Sequence, residues 1–474
     1  MQRAAQDLAE LERRLRGLAV KEPTLAGLLA DGDEWVLARA PGRLDVMGGF
    51  ADYSGSLVLE MPIAEAACVA AARTAKPWIE VASLGEEPRR ARFSAPELWS
   101  ACGSDQALHD YFQGLGAELR WAAYALGALP LLRERGAELT GGLSLLVDSA
   151  VPEGKGVSSS AAIEVASLRA LAELWQLSFS GVELGMACQR VENRVVGAPC
   201  GVMDQITSAC GEDGRLLALL CRPAELRGFV ELPSGIGLFG IDSGVRHSVG
   251  GSSYRRVRVA AFMGLRILAE RLGARVRQVA KGRVLLEQDP LAGYLTNLSP
   301  RELTGELRDG LPERISGAEF LARFAGISDA VTQIEPAVTY MVRAATLHPI
   351  CEHARVEDFA SSLPGADMGE LVRLGESMFE SHVSYSACGL GSEGTDALVG
   401  AARALGPNAG IFGAKISGGG SGGTAIVLAY YDALPLLGSL SADYARRTGR
   451  SSRVFAGSSP GAALVPVERL KLSR

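Results

Sequence analysis

Val151-Pro-Glu-Gly-Lys-Gly-Val-Ser-Ser-Ser-Ala-Ala162 is the stretch around which the chain is organised. Before it, Gly142-Leu-Ser-Leu-Leu-Val-Asp-Ser149 is an apolar run that reads as a buried strand. After it, Ile163 to Leu177 reads as a helix, with Leu168, Leu171, Leu174 and Trp175 at helical spacing. The order is strand, Gly/Ser loop, helix. At such a junction the N–H groups of the first helical turn have no internal partners and stand at the positive end of the helix dipole, which favours an anion. Gly154 and Gly156 permit tight turning and close backbone approach. Ser158, Ser159 and Ser160 add hydroxyls that can donate to phosphate oxygens or ligate a hard cation. One serine would cap an ordinary helix; three beside two glycines exceed that need. The stretch is not a Walker loop, because Gly-x4-Gly-Lys-Ser/Thr is absent.

The 474 residues allow two or three domains, and 47% hydrophobic with 22% charged residues is ordinary for a soluble globular enzyme. A net charge of −6 argues against nucleic acid as a partner. The eight cysteines form no CxxC and no disulfide framework, so reduced thiols in a cytoplasmic setting are expected. Met1 to Val20 reads as an amphipathic helix without the uncharged apolar core of a signal peptide. No run of about 18 apolar residues is present, so no membrane span is expected. The chain reads as a monomer or weak homo-oligomer.

Other segments carry further candidates. Glu34 to Ala40 alternates like a strand and runs into Pro41-Gly-Arg-Leu-Asp-Val-Met-Gly-Gly-Phe-Ala-Asp-Tyr-Ser-Gly55. The breakers Pro41-Gly42 and Gly48-Gly49 put Arg43 and Asp52 in or beside turns, with a strand following at Leu57 to Leu59. Alone, Asp52 would be a turn-forming Asp and Arg43 a surface Arg. Leu115 to Arg133 is helical in pattern, as is Val182 to Val196. The latter contains Glu192 and is broken by Gly197-Ala-Pro-Cys-Gly201, before Asp204. The two carboxylates therefore lie on different elements and can do different jobs, although spacing alone would also let Glu192 pair with Arg190 or Arg194 on a solvated face. A strand at Gly237 to Asp242 leads to Ser243-Gly-Val-Arg-His-Ser-Val-Gly-Gly-Ser-Ser-Tyr254. Arg255 to Arg283 reads as a basic helical stretch with a solvated face. Residues 284–338 are loop-rich and read as an insertion. His348-Pro-Ile-Cys-Glu-His353 offers three zinc ligands and no obvious fourth, so zinc is not expected. In Lys415-Ile-Ser-Gly-Gly-Gly-Ser-Gly-Gly-Thr424, Gly418, Gly420 and Gly423 satisfy GxGxxG. A strand follows rather than a helix, so this is no dinucleotide site.

Taken together, the run at 41–55, the loop at 151–162 and the Gly-rich turn at 415–424 resemble, in order, the three motifs of the GHMP kinases. That resemblance implies a two-domain α+β fold, cut here at 1–235 and 236–474, with the active site in the cleft between domains. It implies ATP and Mg²⁺, with ATP phosphates cradled by Gly154, Gly156, Ser158, Ser159 and Ser160, and Gly419 and Gly420 closing over them. The run at 41–55 is similar to the galactokinase sugar signature, Pro-Gly-Arg-x5-Glu-His-x-Asp-Tyr. By that resemblance Arg43 approaches the reacting hydroxyl and Asp52 holds ring hydroxyls. Glu192 with Ser159 would hold Mg²⁺, Asp204 is the catalytic base, Gly201 offers backbone to the sugar, and Tyr254 contacts it. Arg43 beside Asp204 would favour an ionised sugar hydroxyl and stabilise transition-state charge.

The signature departs at one place. Gly49-Phe50 stands where galactokinases carry the Glu-His pair for the sugar's 6-hydroxyl. A buried hydroxyl left unpaired costs about 1–3 kcal/mol, a penalty that a sugar lacking that group escapes. L-Arabinopyranose is such a sugar, and Gly42 to Leu59 closely resembles the L-arabinokinases, a galactokinase offshoot. The resemblance therefore implies an ATP-dependent kinase of the anomeric hydroxyl of L-arabinose, with Gly49 and Phe50 as discriminating residues. A galactokinase is the alternative. A non-catalytic sugar sensor is disfavoured because the base, metal ligand and serines are all present.

Overall fold

The computed structural model describes residues 1–21, 34–85, 88–246 and 252–472. Helix α1 (Gln2–Lys21) carries Ala4, Leu8, Leu11, Leu15 and Leu18 in one apolar stripe. The stripe packs on the side of β1 (Glu34–Met47) that carries Trp35 and Leu37. β1 runs antiparallel to the long β2 (Leu57–Thr74). Pro41-Gly42 does not end β1, contrary to expectation. The ladder instead shifts register between Pro41 and Arg43, a bulge where a residue without an N–H is tolerated. A Cβ on Gly42 would lie 2.5 Å from the Val157 carbonyl, so this is where strand and phosphate loop touch.

β3 (Trp78–Ser83) and β4 (Arg89–Ser94) follow, then short helices, then β5 (Gly142–Ser149). The single helix read over Leu115–Arg133 is instead two pieces, Ala122–Leu126 and Leu129–Glu134. Gly127 separates them and Pro130 starts the second. α2 (Ser159–Leu174) begins earlier than apolar spacing suggested, because Ser159 and Ser160 themselves form its first turn. α3 (Gly181–Val191) is opened by a Ser180–Glu183 capping box and continues as one π-helical turn, Glu192–Val196. α4 (Met203–Cys210), β6 (Arg215–Leu220) and β7 (Glu225–Glu231) follow.

β8 (Ile236–Asp242) leads to α5 (Ser252–Arg271). The basic stretch to Arg283 is not one helix: Gly273, at φ 106°, ends it. A hairpin of β9 (Arg275–Ala280) and β10 (Gly282–Glu287) takes over. Nor is its Arg face wholly solvated, since Arg258 and Arg266 are buried. Residues 247–251, within the stretch read as leading to Tyr254, lie outside the described residues. Residues 284–338 contain short helices and two-residue strands rather than only loops. Their Leu291, Leu295, Leu298, Leu311, Ile315, Phe320 and Ile327 join the core built on α5. α6 (Val342–Ser362), α7 (Met368–Ala387) and α8 (Glu393–Leu405) precede β11 (Ile411–Ile416) and β12 (Thr424–Tyr430). α9 (Leu434–Thr448), β13 (Val454–Phe455) and β14 (Glu468–Lys471) complete the chain's elements.

One sheet has the order β14-β1-β2-β5-β3-β4, with β6 attached to β2 and β7 to β6. A second, four-stranded sheet has the order β11-β12-β8-β13, beside smaller sheets of three and two strands. β8 takes the chain into the second sheet, and β14 returns it to pair with β1. The fold is thus α+β. An apolar layer that includes Leu44, Ile63, Leu238, Phe359, Leu374 and Ile426 joins the two sheets with α6 and α7.

Candidate active site

A cavity of about 680 Å³ lies at the N-terminus of α2. It gathers Arg43, Asp52, Gly154, Gly156, Ser158, Ser159, Ser160, Glu192, Gly201, Asp204, Tyr254 and Gly419. Of the residues singled out in the sequence, Gly49, Phe50 and Gly420 do not line it.

At one end, Gly154 and Gly156 take positive φ, and Ser158 is left-handed at φ 61°. Ser158 makes no capping bond, and its buried hydroxyl has no protein partner. A buried donor at the first turn of a helix calls for an acceptor, and phosphate oxygen supplies one. The loop is held from outside: Arg43 N donates to Val157 O (3.1 Å), Thr424 Oγ1 to Lys155 O (2.8 Å), and Arg43 Nη1 to Gly156 O (2.8 Å). Lys155 pairs with Asp242 at 2.9 Å. Gly423 packs so closely that a Cβ there would lie 2.9 Å from Lys155 O.

Arg43 is the hub. Its Nε and Nη2 donate to Asp204 Oδ1 at 3.0 and 2.7 Å, and Nε lies 3.2 Å from Glu60 Oε2. Burial alone would depress its pKa; Asp204, Glu60 and Asp45 together raise it. Behind it, Asp45 accepts from Lys415 Nζ (2.9 Å), Gly418 N (3.0 Å) and Gly49 N (2.9 Å). Asp45 and Lys415 are fully buried, and this ion pair ties the 41–55 run to the Gly-rich turn.

Asp52 accepts from Tyr53 N at 2.6 Å. Burial, then Asp204, pushes its carboxyl up to about 7. A Cβ on Gly201 would fall 1.6 Å from Asp52 Oδ2, so the glycine is what gives the carboxylate its place. Glu192 is buried at the π-helical turn, not paired with Arg190 or Arg194 on a solvated face; Arg190 is taken by Asp105 and Glu134. Gln205 Nε2 donates to Glu192 Oε2 at 2.5 Å and to the buried Glu164 at 3.3 Å. Burial and Asp204 push Glu192 up to about 7. The serine bonded to Glu192 is Ser160, one residue beyond the Ser159 expected beside it.

Phe50 is the principal correction. The 3₁₀ turn Gly49–Ser54 points it inward, stacked on His348 (4.2 Å) and edge-on to Tyr385 (4.8 Å). A Cβ on Gly49 would fall 1.3 Å from the Tyr385 hydroxyl, so an acid restored at 49 has no room. Gly420 faces Leu390 instead of the cavity. His348 bonds Ser384 and His353 accepts from Leu57 N, so each histidine has a structural partner.

Sequence reading missed the far wall, which includes Arg89, Trp121 and Tyr124. Arg89 lies over the Trp121 ring at 5.3 Å and pairs with Glu153. An aromatic and a cation beside a phosphate-type loop suit a flat heterocycle. They lie in a region without a motif, and only aromatics among short helices hinted at them.

A phosphate-accepting helix end facing paired carboxylates and an arginine is the arrangement of a phosphoryl-transfer site. Family models agree. "GHMP kinases N terminal domain" matches residues 123–212, "Galactokinase galactose-binding signature" 30–73 and "GHMP kinases C terminal" 362–440. An L-arabinokinase of Arabidopsis thaliana is 42% identical over 95% of this chain and 48% of its own length. The chain thus spans about half of that plant protein. A galactokinase of Chloroflexus aggregans is 31% identical over 88% of this chain and 89% of its own. The Lactococcus lactis galactokinase structure with galactose superposes at TM-score 0.71, with 20% identity, covering 96% of this chain and all of that one. The chain belongs to the galactokinase branch of the GHMP kinases.

Proposed function

We propose that this protein transfers the γ-phosphoryl group of ATP to the anomeric hydroxyl of a galacto-configured sugar, with L-arabinose the preferred acceptor and β-L-arabinose 1-phosphate the product. The observation that carries the reading is the cavity that brings together the α2 terminus, with its unpartnered Ser158 hydroxyl, and the Arg43–Asp204 pair. The L-arabinose assignment draws on the 42% identity to the plant L-arabinokinase and on the absence of an acid at position 49.

In this mechanism the sugar lies between Asp52, Gly201 and Tyr254, with its O1–H toward Asp204. Asp204 accepts the proton as O1 bonds to the γ-phosphorus, and the bond to the β,γ-bridging oxygen breaks in line to release ADP. Arg43 stabilises charge on the oxygens. The hydroxyls of Ser158 and Ser159 and the α2 N–H groups hold phosphate oxygens. A Mg²⁺ ion fits the hard oxygen set of Glu192 with Ser160 or Ser159. Burial and a neighbouring anion disfavour the Glu192 carboxylate, and a cation would relieve both. When bound, the ion neutralises phosphate charge.

The test is kcat/KM for L-arabinose and D-galactose side by side. A preference for L-arabinose of about tenfold supports the reading. Preference for galactose favours the alternative, a galactokinase, which the 31% identity over 89% of the Chloroflexus protein supports. Discrimination by Phe50 contact is withdrawn, since that ring is buried away from the cavity. The eight unpaired cysteines support a reducing, cytoplasmic setting. Among the described residues no helix is long and apolar enough to cross a membrane.

A further inference from the structure

The residues of segment 284–338 that bear on the sugar end of the cavity include Thr296, whose Oγ1 donates to Ser54 O at 3.0 Å, and Asp329, which holds Arg258. Asp329, 3% exposed, follows the two-residue strand Gly326–Ile327. Its carboxylate accepts Val331 N (3.1 Å), Thr332 N (3.1 Å) and Thr332 Oγ1 (2.6 Å), so its own loop fixes it. It also accepts Nε and Nη2 of Arg258 at 2.9 and 3.0 Å, a bidentate pair.

Arg258 stands one helical turn after Tyr254 on α5 and is 5% exposed. Its third nitrogen, Nη1, donates to the Cys200 carbonyl at 3.0 Å. Its guanidinium lies over the rings of Tyr53 at 5.1 Å and Phe262 at 5.6 Å. Cys200 immediately precedes Gly201, and Tyr53 immediately follows Asp52. One side chain therefore grips both loops that carry the sugar-facing groups, yet it does not line the cavity. Its charge also opposes the upward push on the Asp52 carboxyl.

We infer that Arg258 and Asp329 are a positioning pair. Asp329 aims the guanidinium, the guanidinium places the loops at 52–54 and 200–204, and sugar affinity follows from that placement. Neither residue touches sugar or nucleotide. This rests on the sugar-kinase reading for its ligand, and it gives the inserted segment a role in the same site. A pair serving stability alone would weaken the fold without distinguishing the two substrates, because desolvation offsets much of a buried pair's attraction.

The experiment is a steady-state comparison of wild type, Arg258→Met, Arg258→Lys and Asp329→Asn, together with hydrogen exchange of the ligand-free proteins. Arg258→Met is expected to raise KM for the sugar about 10- to 100-fold, the value of one or two hydrogen bonds to a charged group. KM for ATP should stay within about twofold of wild type, well under one such bond. Amides of 50–54 and 198–204 should exchange faster, and those of 154–160 should not. Equal changes in both KM values, no change in either, or uniformly faster exchange would overturn the inference. If Arg258→Met does not fold, Arg258→Lys and Asp329→Asn must show the same split at smaller size, and its absence would overturn the inference as well. If wild type phosphorylates neither L-arabinose nor D-galactose, the sugar reading fails by itself, and the exchange pattern alone decides the pair's role.

Discussion

The two ends of the cavity are built on opposite plans. At the phosphate end the working groups are backbone N–H groups and hydroxyls of one continuous stretch, 154–160. At the sugar end each group is set by a residue far away in sequence. Arg43 holds Asp204, Gly201 leaves room for Asp52, Arg258 holds the Cys200 carbonyl, and Asp329 holds Arg258. The local end depends on conformation, which a few glycines and a helix terminus supply and which Arg43, Thr424 and Asp242 brace from outside. The remote end depends on charge pairing across the fold, where losing one member strands another in a dry interior. Substitutions at the two ends should therefore fail in different ways.

The largest expected effect tests whether the remote end carries the chemistry. Asp204→Asn keeps an oxygen for Arg43 but loses the proton acceptor, and kcat should fall about 10³-fold. Initial rates with saturating sugar and ATP measure this. Turnover near wild type with an intact fold would remove Asp204 from the base role and leave transfer to positioning and charge.

Next comes the pair behind Arg43. Lys415→Met leaves Asp45 buried without its cation, and urea unfolding should show a loss of roughly 3 kcal/mol. Adding Asp45→Asn should recover part of it. A loss under about 0.5 kcal/mol would mean that the donors from Gly49, Gly418 and Tyr385 suffice for Asp45.

The third prediction concerns pH. The folded-state pKa of Asp52, about 7, stands above the ordinary 3.8, so the folded protein holds this proton longer than the unfolded chain does. The stability linked to it is full below about pH 4 and is lost as pH rises toward 7. Asp52→Asn should therefore stabilise the ligand-free protein at pH 8 by up to roughly 4 kcal/mol and not at pH 4. Melting curves at the two pH values decide it, and equal shifts at both would refute the linkage.

The smallest effect is at the local end. Ser158→Ala removes a hydroxyl that bonds nothing in the protein, so stability should be unchanged while KM for ATP rises about threefold to tenfold. An unchanged KM would mean that the backbone alone holds the phosphates.

The same contrast explains what was legible in the sequence. Ser158 to Ser160 could be read because their neighbours in the chain are also their neighbours in space, whereas Glu192 and Asp204 drew their roles from the family resemblance, since Arg43, the partner of Asp204, lies 161 residues away. The α+β class was implied by the resemblance of the three motifs to the GHMP kinases, and the mixed sheets and helices agree with it. Phe50 was misread because it stands at the place of the Glu-His pair in the galactokinase signature, while the 3₁₀ turn Gly49–Ser54 buries its ring against His348 and Tyr385. Arg258 was misread because arginine in a basic helix is usually solvated, and its partner lies 71 residues away. Trp121 stands at the start of a short helix and Arg89 at the start of β4, where nothing marks them as a wall of the cavity.

The clash at position 49 couples two distant places in the chain. The space for a side chain there is already held by the Tyr385 hydroxyl, 1.3 Å from where a Cβ would stand. A side chain can enter at 49 only if that of Tyr385 is moved or replaced, because otherwise two side chains claim one volume. A galactokinase-like acid at 49 thus involves a second site. That site lies on α7, more than three hundred residues away from the motif.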